Sequence, residues 1–245
     1  MHKLSFQATL LGFEAMREKL LFSLGTFLLL ILWLFPFPAT ASSPPSEVNL
    51  RVMMVPPGRY GRHIEFPLHA RYITIHSTDN PNATAYQHAV GMAHGRFRAK
   101  SRWNRTGYLT WHFTVDDQEA IQSLPLTIQG EHADHDGPGN RTSIGIEICE
   151  FRNPVRQAKA IDRAAKLTAW LMREEDIPLD HVVPHWYWPQ WHFHGYRKNC
   201  PRILLEHGRP GRRWEAFLQR IAAYYRRYYG TDDRIASRSQ LLPEH

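Results

Sequence analysis

Two short segments, Tyr72-Ile73-Thr74-Ile75-His76 and Ile144-Gly145-Ile146-Glu147-Ile148, carry isoleucine at every second position. Successive side chains of a strand point to opposite faces, so this period of two predicts two strands, each with one apolar face. His76 closes the first segment and Glu147 interrupts the second, both on the face opposite the isoleucines. Trp111-His112-Phe113-Thr114-Val115, closed by the turn-like Asp116-Asp117, predicts a third strand. Other stretches have a helical period: Tyr86, Ala89, Val90, Ala93 and Phe97; Ile161, Ala164, Ala165, Leu167, Thr168, Leu171 and Met172; and Trp214, Phe217, Leu218, Ile221 and Tyr225. Strands and helices that interleave in this way make a sheet covered by helices, an α/β or α+β sandwich.

The 245 residues suffice for one well-buried domain and are too few for two large ones. Leu20 to Phe37 is almost wholly apolar, preceded by Arg17 and Lys19 and followed by Pro38-Ala39-Thr40-Ala41-Ser42, a small-residue cleavage pattern. Residues 1–41 are therefore expected to be a signal peptide, cut after Ala41, that exports the chain to a periplasm, the cell exterior or the wall. Met16 is an alternative start, because Met16-Arg17-Glu18-Lys19 makes a shorter charged leader. The rival is an uncleaved membrane anchor, since a run of about 18 apolar residues is near the lower limit for spanning a bilayer. In either case the membrane is met only through this segment. Residues 42–60, with Ser43-Pro44-Pro45-Ser46 and Pro56-Pro57, read as a linker, 61–230 as the one folded domain, and 231–245 as a disordered tail.

A net charge of +7 favours an anionic partner. Basic residues gather at Arg96, Arg98, Lys100, Arg102 and Arg105 and again at Arg212, Arg213, Arg220, Arg226 and Arg227. Nucleic acid, acidic lipid and bacterial wall polymer all fit such charge, but no nucleic-acid-binding motif accompanies it, so nucleic acid is not the partner expected.

Fifteen histidines make any single one uninformative. Three residues stand out in combination. His76 ends a strand, His185 ends the apolar run Val182-Val183-Pro184, and Cys200 lies in Lys198-Asn199-Cys200-Pro201. Two imidazoles and a thiolate are three ligands for Zn²⁺ with a fourth position left for water, the composition of a catalytic zinc site. An exported cysteine pair, Cys149 and Cys200, invites a disulfide, but a metal-binding Cys200 must stay a free thiolate. Cys149, in an apolar strand, reads as a small buried hydrophobe.

The segments 72–78, 111–117 and 139–148, then His185 and Lys198-Asn199-Cys200-Pro201, occur in an order that resembles the N-acetylmuramoyl-L-alanine amidase family of the phage-lysin and peptidoglycan-recognition fold. The likeness spans roughly residues 70 to 205 and is closest to members with a His-His-Cys site. It implies a central mixed β-sheet flanked by helices, and zinc held by His76, His185 and Cys200. It further implies Glu147 as the carboxylate that activates water and Lys198 as the cation that stabilises the oxyanion. The expected reaction is hydrolysis of the amide between N-acetylmuramic acid and L-alanine in peptidoglycan. A non-catalytic peptidoglycan receptor of the same fold, or a zinc peptidase acting elsewhere on the stem peptide, are the alternatives.

The chain departs from the family pattern twice. Trp111 stands where some relatives have tyrosine, so a phenolic donor is missing; Trp111 is expected to line the substrate groove. Fourteen residues separate His185 from Cys200, a long gap whose aromatic insertion, Trp186 to His194, contains His192, a rival second ligand. His185 is preferred because it ends an apolar run as His76 does. The insertion could form a wall of the groove. His132, in Glu131-His132-Ala133-Asp134, is expected to contact substrate, and His112 to be a core or supporting residue.

Overall fold

The computed structural model describes residues 42–236; residues 1–41, where the signal peptide is expected, and residues 237–245 lie outside them. Six strands, β1 (Leu50–Val52), β2 (Tyr72–Ser77), β3 (Phe113–Val115), β4 (Ala120–Gln122), β5 (Ser143–Ile148) and β6 (Val182–Pro184), form one mixed sheet. Their order across it is β1-β4-β3-β5-β2-β6. Only β3 and β4 run antiparallel; their short connection allows it, and the parallel pairs need longer crossovers. Helix α1 (Ala85–Ala93) lies between β2 and β3, α2 (Pro138–Thr142) precedes β5, and α3 (Pro154–Glu174) joins β5 to β6. Beyond β6 come the small ribbon β7 (Leu205–Glu206) and β8 (Arg209–Pro210), then α4 (Arg212–Tyr229) and α5 (Asp233–Ala236).

Register turns the period of two into two unlike faces. Ile73 pairs with Ile144, Ile75 with Ile146, Phe113 with Ile146, and Val115 with Ile148. These residues share one fully buried cluster with Leu167 and Leu171 of α3 and with Phe217, Leu218 and Ile221 of α4. Each such side chain contributes roughly 1.5–3 kcal/mol by leaving water. On the other face, His76 and Thr114 are both paired with Glu147, and Thr74 with Gly145. This face is polar and cross-linked: Trp188 Nε1 donates to Thr74 Oγ1 (2.9 Å), which donates to Ser143 Oγ (2.7 Å). His76 and Glu147 stand near the C-terminal ends of parallel strands, and His185 follows β6 directly, the end at which open α/β sheets carry their ligands.

Helix ends are secured locally. A capping box joins Thr84 and Gln87 at the start of α1, and Asp116 accepts a further bond from the Ala85 N–H, tying α1 to the turn after β3. At α3, Asn153 caps Val155 and Arg156 with Pro154 in the first turn.

Several expectations are corrected. Residues 42–60 are not a linker: β1 pairs with β4, Val48 is fully buried, and Arg163 donates to the carbonyls of Glu47 and Val48. A three-residue strand is too short for alternation to reveal it. The tail reading fails for residues 231–236, where Asp232 accepts from the Tyr225 hydroxyl (2.6 Å) and Ile235 is buried. The third strand begins at Phe113 and not at Trp111. The buried face of α1 is Ala85, His88, Ala89 and Met92, while Tyr86 is 48% exposed. Among the described residues no helix is long and apolar enough to cross a membrane.

Candidate metal centre and cleft

A cleft of about 280 Å³ opens over the C-terminal ends of β2 and β5, lined among others by His76, His132, Glu147, Lys198 and Cys200. The ligand atoms of His76, His185 and Cys200 lie within 4.8 Å of one another, and all three residues are buried. His76 Nδ1 is 2.9 Å from His185 Nδ1 and 3.7 Å from Cys200 Sγ. His192, the rival, is elsewhere: its Nε2 lies 3.1 Å from Asp136 Oδ1 and its ring stacks on Trp103. Cys149 is a fully buried free thiol in the core beside His88, outside the metal group.

The hydrogen bonds around these imidazoles decide which nitrogens are bare. His185 Nε2 donates to the Ala133 carbonyl (2.9 Å), which leaves its Nδ1 without a proton. His132 Nε2 donates to the Ser143 carbonyl (3.3 Å), so His132 Nδ1 accepts, and His76 Nε2 must donate to it (3.0 Å). His76 Nδ1 is then bare as well. Burial, reinforced for His76 by the neighbouring imidazoles, holds His76 far below the usual histidine range and His185 down to about 3, so both rings are neutral. Two lone pairs face each other at 2.9 Å beside a sulfur, an arrangement that repels itself unless a cation sits between. The donor set therefore fits zinc.

Glu147 Oε1 lies 3.9 Å from His76 Nδ1, and Glu147 Oε2 is buried with no hydrogen-bond partner among the described residues. Burial raises its carboxyl to about 7, against the opposing charge of Lys198. Lys198 is exposed on the cleft rim, near enough for its charge to act on His76, Glu147 and His185. Burial also raises the Cys200 thiol, so a thiolate there requires a compensating positive charge.

Two residues expected to contact substrate, Trp111 and His132, both line the cleft, with their polar atoms engaged inside the protein. Trp111 is buried against Val55, Met92 and Leu124, and its indole N–H is spent on Thr114 Oγ1 (2.7 Å), so only apolar ring surface reaches the cleft. His132 lines the cleft but has both ring nitrogens engaged inside the protein. His112 bridges backbone, accepting from Gly145 N–H and donating to the Ile128 carbonyl, and burial lowers it to about 4.

Sequence reasoning missed the loop that aims the ligands. Asn140 Oδ1 accepts from the N–H groups of His132 and Ala133, and Asp134 accepts from those of Gly139 and Asn140. This fixes the Ala133 carbonyl under His185, where Gln190 of the aromatic insertion also donates (2.8 Å). A glycine inside a strand was the available signal, because it often marks a close approach: a Cβ on Gly145 would lie 2.8 Å from the His132 ring.

With this geometry in place, comparison with known proteins assigns the family. The profile of the N-acetylmuramoyl-L-alanine amidase family matches residues 67–203, more than half of the chain. The chain belongs to this family. N-acetylmuramoyl-L-alanine amidase XlyA of Bacillus subtilis (strain 168) is 40% identical over 174 residues, covering 69% of this chain and 50% of XlyA. CwlH of the same organism, also an N-acetylmuramoyl-L-alanine amidase, is 41% identical over 154 residues, covering 62% of this chain and 53% of CwlH. The chain thus spans about half the length of the curated relatives it matches. The solved catalytic domain of XlyA superposes with a TM-score of 0.57 at 38% identity, over 71% of this chain and 99% of that domain.

Proposed function

We propose that this chain is an exported zinc-dependent amidase that hydrolyses the bond between N-acetylmuramic acid and L-alanine in peptidoglycan. The observation that carries the reading is the pair of bare imidazole nitrogens beside Cys200, with Glu147 Oε1 3.9 Å from His76 Nδ1. His76, His185 and Cys200 would hold zinc; bound there, the ion supplies an acidified water and a polarised carbonyl. Glu147 takes a proton on its carboxylate and returns it to the amide nitrogen of the departing L-alanine, a task suited to a carboxyl raised to about 7. Lys198 on the rim stabilises negative charge developing on the carbonyl oxygen. Apolar surface of Trp111, Phe97 and Leu109 completes the cleft wall. Export follows the expected signal segment and agrees with a substrate that lies outside the cytoplasm.

Digestion of purified peptidoglycan by the protein, with and without a zinc chelator, tests this by mass spectrometry of the fragments. Free stem peptides beginning at L-alanine, lost on chelation and in Glu147→Ala, are expected. Zinc-loaded protein that binds the wall and releases nothing would overturn the hydrolase reading in favour of a receptor, and cuts elsewhere in the stem peptide would assign a peptidase.

A further inference from the structure

The two histidine ligands are oriented by different means. His185 is anchored on a backbone carbonyl, Ala133, whereas His76 depends on one side chain, His132, itself anchored on the Ser143 carbonyl. The His132 ring stands edge-to-face to His76, with centroids 5.1 Å apart. It occupies a slot that two glycines keep open: a Cβ on Gly130 would fall 2.7 Å from His132 Cδ2, and one on Gly145 2.8 Å from Cγ and Cδ2. Real Cβ atoms do not approach so closely, so either addition would displace the ring.

The Nδ1 to Nδ1 approach of 2.9 Å leaves the site a way to close on itself. If His76 carried its proton on Nδ1, it would donate to His185 Nδ1, and zinc would have to break that bond before entering. His132 removes this option by accepting from His76 Nε2–H. We propose that His132 is a positioning residue for the metal centre: it locks His76 in the Nε2–H tautomer, so that Nδ1 stays bare and aimed at His185 and Cys200. Its role is in assembling the site, and it does not touch the reacting atoms.

This inference rests on the zinc reading, and two measurements separate their failures. In the metal-free wild-type protein, long-range ¹H–¹⁵N correlation reports the tautomer of each histidine without any substitution. His76 protonated on Nε2 and bare on Nδ1 is expected; His76 protonated on Nδ1 overturns the proposal, whether or not zinc binds. Zinc affinity is then measured by chelator competition for wild type, His132→Ala and His132→Gln. A glutamine can accept from His76 with its amide oxygen and donate to Ser143 with its nitrogen. Loss of an outer partner of a metal-bound histidine costs ~10–100-fold in affinity, so His132→Ala is expected to weaken zinc by that factor and His132→Gln to restore most of it. His132→Ala binding zinc within twofold of wild type overturns the proposal. A wild-type protein that binds no zinc overturns the metal reading and leaves the tautomer result to decide the role of His132.

Discussion

Replacing Glu147 with glutamine is expected to abolish hydrolysis and, in the metal-free protein, to raise stability in a pH-dependent way. Glu147 is 15% exposed to the cleft, its Oε2 is shielded from water with no partner, and burial lifts its carboxyl from the ordinary 4.5 to about 7. A carboxyl whose folded value lies above its unfolded value favours folding while protonated, and this contribution is lost as pH rises through the folded value. At 1.36 kcal/mol per pH unit, a displacement of this size leaves the ionised wild-type protein about 3 kcal/mol less stable than it would be with an unshifted carboxyl. Glutamine carries no such cost. Between pH 5, where only a fraction of the cost is felt, and pH 8, where it is nearly complete, the advantage of Glu147→Gln over wild type should grow by roughly 2–3 kcal/mol.

The assay is urea unfolding of chelated wild type and Glu147→Gln at pH 5, 6, 7 and 8. For a domain of this size the difference corresponds to a gap in Tm of roughly 5–10 °C at pH 8. An advantage that stays flat with pH would refute the reasoning, because the carboxyl would then be solvated in the folded protein. Added zinc should shrink the gap, since a nearby cation lowers the cost of the carboxylate.

Other consequences of the site are direct. Cys200→Ser and His185→Ala should lower zinc affinity by more than ~100-fold, beyond what loss of an outer partner causes, while His192→Ala leaves it unchanged by the same competition assay. Lys198→Ala should lower kcat ~10²–10³-fold, the usual loss for a group that stabilises an oxyanion, with zinc content by elemental analysis unaltered. Deleting residues 42–52 should destabilise the domain by at least ~2 kcal/mol, since burial of Val48 alone accounts for about that much; the loss is read in thermal unfolding, and an unshifted Tm would return this segment to the status of a linker.

The legible part of the fold was the part with a long enough period. Six-residue strands β2 and β5 reveal their two faces, as do α3 and α4, whose buried residues recur over several turns. β1, β4 and β6 have three residues each, and no alternation can be recognised in so few; they are strands because neighbours offer them hydrogen bonds, β2 to β6, and β3 to β4, which in turn pairs with β1. His88 shows how a helix face is misjudged from residue type: it belongs to the buried side of α1, its Nδ1 directed at the Thr84 carbonyl, while the more apolar Tyr86 faces out.

The site divides in the same manner. His76 and Glu147 were visible because each interrupts an apolar alternation, and one register puts them side by side on β2 and β5. His185 and Cys200 needed the fold, since β6 brings the first to His76 and the chain returns to bring the second only after the aromatic insertion. Two features that aim the ligands have no side-chain signature of their own. One is the backbone carbonyl of Ala133, and another is the absent side chain of Gly145, which reads in the sequence as a weak point in a strand. That weakness is what admits the His132 ring next to His76. A sheet position that alternation alone would fill with a larger residue is held at glycine by the second layer of the site.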